Sequence, residues 1–134
     1  MLVSTRGRYA LRVIIYLAEN DNGSYIPMKQ VADNQNISLK YLEQILPILT
    51  KNGIVDAVHG KGGGYKLACE PSKCTVYDVL KLTENGFSSV ACLEEGAPKC
   101  PRVDQCRTID LWRGLNSTVH DYLKNVTISD LILK

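Results

Sequence analysis

No stretch of this 134-residue chain is apolar for long enough to cross a bilayer. The longest such run, Val13 to Ala18, falls far short of the roughly 20 residues that a spanning helix needs. The opening residues Met1-Leu2-Val3-Ser4-Thr5-Arg6 lack the basic–apolar–small order of a secretory signal, so a cytoplasmic location without membrane contact is expected. Also missing is any nucleophile motif with an attendant base. The adjacent carboxylates Glu94 and Glu95 read as solvated loop, and enzymatic activity is not expected. There is no CxxC pair, the usual mark of structural zinc. The cysteines number five, an odd count that argues against a disulfide framework in a reducing compartment.

Charge of one sign is scarce too, with a formal net charge of +2. Its distribution is uneven. Residues 1–66 carry eight Lys/Arg against five Asp/Glu, and residues 67–134 carry eight against nine. An anionic partner would dock more readily on the first half, although ordinary solvated surface explains the same excess.

What is present is helical periodicity. Leu11, Ile14, Ile15 and Ala18 recur at three- and four-residue spacings and predict an amphipathic helix over residues 8–20, capped by Ser4 or Thr5. After the turn at Asp21-Asn22-Gly23-Ser24, a short helix over 28–35 buries Met28, Val31 and Ala32. Ser38 then caps a helix from Leu39 to about Lys51, with Leu42, Ile45, Leu46 and Leu49 as its core stripe. Two short helices joined by a tight turn have the outline of a helix-turn-helix. Ser38, Lys40, Tyr41, Glu43 and Gln44 gather near the N-terminal end of the second, where a recognition helix presents donors and acceptors to base edges. A solvated helix face is the plain alternative. Pro47 should kink this helix.

Next, Ile54 to Val58 and Tyr65 to Ala68 flank His59-Gly60-Lys61-Gly62-Gly63-Gly64, two β-prone runs around a glycine-rich tip. Following a helix-turn-helix, this hairpin reads as a wing whose His59 and Lys61 lie against phosphates or enter a minor groove. A nucleotide-cradling loop is disfavoured, because the segment lacks the Lys-Ser/Thr ending and opens into a strand. A helix over 75–82 follows, with Thr75 and Asp78 spaced as a variant capping box.

Residues 85–105 show little periodicity and form a long loop, a feature uncommon in compact domains unless it functions. It holds Cys92 and Cys100, and Cys106 closes it: three soft thiolates within fifteen residues, suited to zinc, copper(I) or an iron–sulfur cluster. Three unrelated thiols are the alternative. Cys69 and Cys74 are expected to be ordinary thiols, and His120 a surface or satisfied histidine. Trp112, Leu115, Val119, Tyr122 and Val126 then make a heptad-like seam, suited to a second copy of the chain and to the two-fold symmetry of a palindromic site in double-stranded DNA. Thr127 to Leu133 reads as a capped final turn packing back on the core.

The expected fold is therefore mainly α with a small β-hairpin. It divides into a winged helix-turn-helix over 1–84, a cysteine-bearing loop over 85–106, and a dimerisation helix with a C-terminal turn over 107–134.

Several segments together resemble the iron–sulfur-dependent winged-helix transcription regulators of the IscR/NsrR type. They are Gly7-Arg8-Tyr9-Ala10, Ile37 to Gln44, Lys51-Asn52-Gly53-Ile54-Val55, Gly60 to Tyr65, Leu111-Trp112-Arg113 and Asn125-Val126-Thr127-Ile128, with the three cysteines. The resemblance spans nearly the whole chain in order. It implies a homodimer that reads the major groove through Ser38, Tyr41, Glu43 and Gln44 and the minor groove through the wing. It also implies an iron–sulfur cluster on Cys92, Cys100 and Cys106, taken to be 2Fe-2S, with iron–sulfur assembly proteins as candidate partners. Several departures stand out. Ile109 occupies the position of a histidine ligand, leaving Asp110, Glu94, Glu95, His120 or a small exogenous group as the fourth ligand. Arg8 stands where some members use an acidic residue from the partner, and the first cysteine spacing is longer than usual. His59 and Lys40 replace an arginine and a serine, so the operator should differ.

Overall fold

The computed structural model describes residues 3–132. Six α-helices and one hairpin follow in the order α1 Thr5–Glu19, α2 Met28–Gln35, α3 Leu39–Lys51, β1 Val55–Val58, β2 Gly64–Leu67, α4 Val76–Thr83, α5 Ile109–Lys124 and α6 Ile128–Leu131. None of the described helices is long and apolar enough to cross a membrane.

Helix α1 begins at Thr5 because the Ser4 hydroxyl accepts the Gly7 amide at 3.0 Å, satisfying one of the orphan donors of the first turn. Its buried stripe is Ala10, Val13, Ile14 and Leu17, whereas Leu11, Ile15 and Ala18 are only partly buried. The apolar face is thus turned about one residue from the one expected. The cause is packing against α4, which meets α1 on its Gly7 side: a Cβ on Gly7 would lie 3.0 Å from Leu80 Cδ2. Ala10, Val13, Ile14 and Leu17 join Val31, Ile37, Leu42, Ile45, Leu46 and Leu49 of the helix-turn-helix in one core, closed from below by Val79 and Ile128.

Helix α2 ends at Asn36, whose left-handed conformation (φ 54°) turns the chain into α3. Helix α3 is capped as expected, with the Ser38 hydroxyl accepting the Tyr41 amide at 3.1 Å. It runs unbroken through Pro47. Pro47 and Glu43, whose carbonyl loses its intrahelical donor, are both exposed, so the missing bond faces solvent.

The hairpin pairs Val55 with Leu67 through Val58 with Gly64. A third segment, absent from the sequence reading, joins it. Ile26 and Tyr65 exchange both backbone hydrogen bonds at 2.8 Å, tying the wing to the approach to α2. A Cβ at Gly64 would sit 2.3 Å from the Ile26 carbonyl oxygen, so only glycine permits this pairing.

Helix α4 opens with a complete capping box between Thr75 and Asp78, and α6 repeats it with Thr127 and Asp130. The two caps abut: the Val76 amide donates to Val126 at 2.8 Å and the Ile128 amide to Cys74 at 2.9 Å. The final turn therefore packs back as expected through Ile128, fully buried, and Ile132, while Leu133 lies outside the described residues. Val126, however, lies beyond the end of α5 and serves this bridge instead of the seam.

Candidate nucleic-acid interface and cysteine loop

Because α3 buries Leu42, Ile45, Leu46 and Leu49, its opposite side must face outward. Ser38, Lys40, Glu43 and Gln44 are all exposed there. Tyr41 is half-buried: its ring meets Tyr9 of α1 edge-on, with centroids 5.2 Å apart. The Arg12 guanidinium lies 5.1 Å from the Tyr9 centroid and donates to the Gln35 carbonyl, so the turn before α3 is braced from α1. His59 and Lys61 are exposed on the hairpin tip, where Gly60 (φ +92°) and Gly62 (φ +78°) adopt left-handed backbone. No side-chain hydrogen bond or ion pair engages Lys40, Glu43, Gln44, His59 or Lys61 among the described residues. Their donors, acceptors and charges are free for a partner.

The loop between α4 and α5 contains two short 3-10 turns, Ala91–Leu93 and Val103–Gln105. Its first part is fastened to α5. The Ser89 amide donates to Asn116 Oδ1 at 2.7 Å, Asn116 Nδ2 donates to the Ser88 hydroxyl at 2.7 Å, and His120 Nε2 bonds the Phe87 carbonyl at 2.8 Å. The His120 ring stacks on Phe87, with centroids 5.3 Å apart, and contacts Tyr77. His120 is thus a satisfied histidine.

Cys100 and Cys106 line one cleft of about 490 Å³ together with Arg102, Gln105, Arg107 and Thr108. Cys106 sits just before α5. The Thr108 hydroxyl, at 3.6 Å, and then the Thr108 amide hydrogen-bond its sulfur, holding the thiol below the usual cysteine range; Arg102 adds in the same direction. This is an environment for a thiolate ligand. Cys92 lies apart, exposed on the first 3-10 turn. Among the described residues no three His, Cys, Asp or Glu side chains converge on one point, so Cys92 has to move to share a centre with the other two. The candidate fourth ligands are scattered. Glu94 accepts the Ser88 amide at 2.9 Å, Asp110 pairs with Arg113 at 3.4 Å, and Ile109 is buried at the start of α5. Arg8 is exposed and donates to the Thr5 hydroxyl at 3.0 Å.

Sequence reading missed the joint between α1 and α4. Glu84 Oε1 accepts both the Ser4 amide (3.1 Å) and its hydroxyl (3.0 Å), and Arg6 Nε donates to the Thr83 carbonyl at 2.8 Å. No local pattern signals contacts between residues some eighty positions apart. The Ser89–Asn116 and Phe87–His120 anchors were missed for the same reason.

A family model described as "Rrf2: Iron-dependent Transcriptional regulator" matches residues 3–134. The HTH-type transcriptional regulator IscR of Escherichia coli is 34% identical over 132 residues, 98% of this chain and 80% of that protein. Among solved structures, a transcriptional regulator from Listeria innocua superposes with a TM-score of 0.79 at 31% identity, covering 98% of this chain and 85% of that one. CymR, described as the global cysteine regulator of B. subtilis, superposes with a TM-score of 0.76 at 30% identity, covering 98% and 95%.

Proposed function

The chain belongs to the Rrf2 family of transcriptional regulators, and on that premise we propose a cytoplasmic, homodimeric DNA-binding protein whose operator binding is tuned by an iron–sulfur cluster on Cys92, Cys100 and Cys106. The observation that carries the DNA half is the capped end of α3, where Lys40, Glu43 and Gln44 are exposed and unengaged beside the capping Ser38 and the half-buried Tyr41. Ser38, Lys40, Tyr41, Glu43 and Gln44 offer the donors and acceptors that discriminate base edges, and His59 and Lys61 approach the backbone or minor groove. A palindromic operator follows from two heads related by a two-fold axis.

The cluster half rests on donor chemistry. Cys100 and Cys106 share a cleft with Arg102 and Arg107, cations that offset the charge of thiolate ligands, and Cys92 is exposed on a short 3-10 turn of the same loop. When bound, a 2Fe-2S cluster supplies a centre whose oxidation or loss reports on iron and redox status. The protein's own part is mechanical. Ser88, Ser89 and Phe87 tie the loop to Asn116 and His120 of α5, so ordering the loop reorients α5 and, through the dimer, the spacing of the two α3 helices.

Anaerobic purification followed by visible spectroscopy with iron and sulfide analysis tests this reading. Visible absorption with matched iron and sulfide, lost in Cys92→Ala, Cys100→Ala and Cys106→Ala, is expected. A second reading is a cluster-free regulator of the same fold that answers to thiol oxidation or a protein partner. The separation of Cys92 from the other two thiols favours it, and a colourless protein whose three cysteine variants regulate normally would select it.

A further inference from the structure

Two thiols outside the loop flank a single turn. Cys69 follows β2 and Cys74 precedes the cap of α4. Between them the Cys74 and Lys73 amides both donate to the Glu70 carbonyl, at 3.1 and 2.9 Å, closing a tight turn. That turn folds the Cys74 side chain into the core at 3% exposure, while half-buried Cys69 packs on its outer side. The neighbouring Cys74 thiol holds the Cys69 thiol below the usual cysteine range, and the same pairing, together with burial, pushes Cys74 up. The more exposed sulfur is thus the readier nucleophile, with a second sulfur already beside it.

We propose that Cys69 and Cys74 form a peroxide-reactive dithiol site that closes to an intramolecular disulfide, independent of the cysteine loop. The Cys69 thiolate attacks a peroxide oxygen, forming an S–O bond as the O–O bond breaks, and the departing hydroxide is protonated to water. The Cys74 sulfur then attacks the Cys69 sulfenic acid. An S–S bond forms, the S–O bond breaks, and the Cys74 proton leaves with the oxygen as a second water. Two thiols are oxidised and one peroxide is reduced. The site is placed to matter: its turn joins the trailing wing strand to α4, and the Cys74 carbonyl holds the first amide of α6 at 2.9 Å.

The sequence makes the product easy to read. Trypsin cuts after Lys66, Lys73 and Lys81, placing Cys69 in residues 67–73 and Cys74 in residues 74–81. Reduced full-length protein is treated with hydrogen peroxide, its free thiols are alkylated, and it is digested without reductant. A dithiothreitol-sensitive species linking these two peptides is expected. It should form at least about tenfold more slowly in concentrated urea, where the fold no longer pairs the sulfurs. Cys69→Ser should abolish it. Cys74→Ser, if it folds by circular dichroism, should leave a sulfenic acid on Cys69 that dimedone traps. Separate alkylated peptides, a link from Cys69 to Cys92, Cys100 or Cys106, or an equal rate in urea would each overturn the proposal.

Discussion

Tyr9 and Tyr41 meet edge-on with ring centroids 5.2 Å apart, so the aromatic residue of the proposed DNA face on α3 is seated on α1. Such a pair contributes about 0.5–1.5 kcal/mol beyond its buried area. Tyr9→Ala removes the seat without touching any residue of the proposed DNA face. Operator affinity should fall about three- to tenfold while the thermal midpoint drops by only a few degrees. Tyr9→Phe, which keeps the ring, should bind normally. Fluorescence anisotropy on the two variants checks this, and unaltered binding by Tyr9→Ala would show that Tyr41 orients itself.

Lys61 and Gln44 should fail in different ways. Lys61 is an unengaged cation on the wing tip, and a phosphate contact there contributes about 0.9 to the slope of log K against log salt. Lys61→Ala should therefore weaken binding to operator and random DNA alike and flatten that slope by about one. Gln44, exposed on α3, carries no charge. Gln44→Ala should leave the slope intact and cost about 1–3 kcal/mol of discrimination between the operator and a single-base variant. Identical salt slopes for Lys61→Ala and the parent protein would remove the wing from the phosphate backbone.

Local signals carried much of the fold. The Ser38 cap, the Leu42 to Leu49 stripe, the Thr75 and Thr127 boxes and the glycine-rich hairpin tip all stand in the structure where their spacing puts them, because each is decided within a few residues. What failed depended on distant partners. The face of α1 turned toward Ala10 and Val13 because α4 lies against Gly7, and Val126 left the seam because its carbonyl serves Val76. The grouping of the candidate residues on α3 was legible since they share one helix end. The cysteine loop was legible only as a set of ligands: spacing gives reach, not convergence, and Cys92 stands apart. That Cys69 and Cys74 flank one turn could be seen only with the Glu70 carbonyl closing it.

Gly7 offers a test of the joint between α1 and α4. A Cβ there would lie 2.2 Å from Glu84 Oε1 and 3.1 Å from Thr83 Oγ1, so Gly7→Ala must expel the carboxylate that holds Ser4. Helix propensity favours alanine by roughly 1 kcal/mol, but overpacking and the lost hydrogen bonds cost about 1–3 kcal/mol. The net expectation is a loss of up to about 2 kcal/mol in urea unfolding at fixed protein concentration. In a Glu84→Ala background the nearest obstruction is gone, leaving the tighter-than-usual approach to Leu80 and Thr83, and the same substitution should cost clearly less. Equal losses in both backgrounds would mean that Glu84 is not what Gly7 accommodates.

The exposed face of α5 is where the dimer should be found. Leu111, Leu115 and Tyr122 are 60%, 42% and 69% exposed, and Ile109 alone is buried among the described residues of that helix. Three large apolar side chains on one helix side are costly to leave in water, since covering a leucine gains about 1.5–3 kcal/mol. In an isologous interface each residue is covered twice, so one substitution counts twice. Leu115→Glu should therefore weaken self-association by at least about a hundredfold, reckoned from twice the single-leucine term and before any cost of burying the carboxylate. Sedimentation should show monomers with unchanged helicity, because the core of α1 to α4 does not depend on Leu115. Those monomers should bind a half-site as the parent head does but lose the gain from a full palindrome, which comes from linking two heads and not from any contact made by α5 itself. A Leu115→Glu protein that stays dimeric at micromolar concentration would place the two-fold axis elsewhere, and with it the route by which the cysteine loop reaches α3.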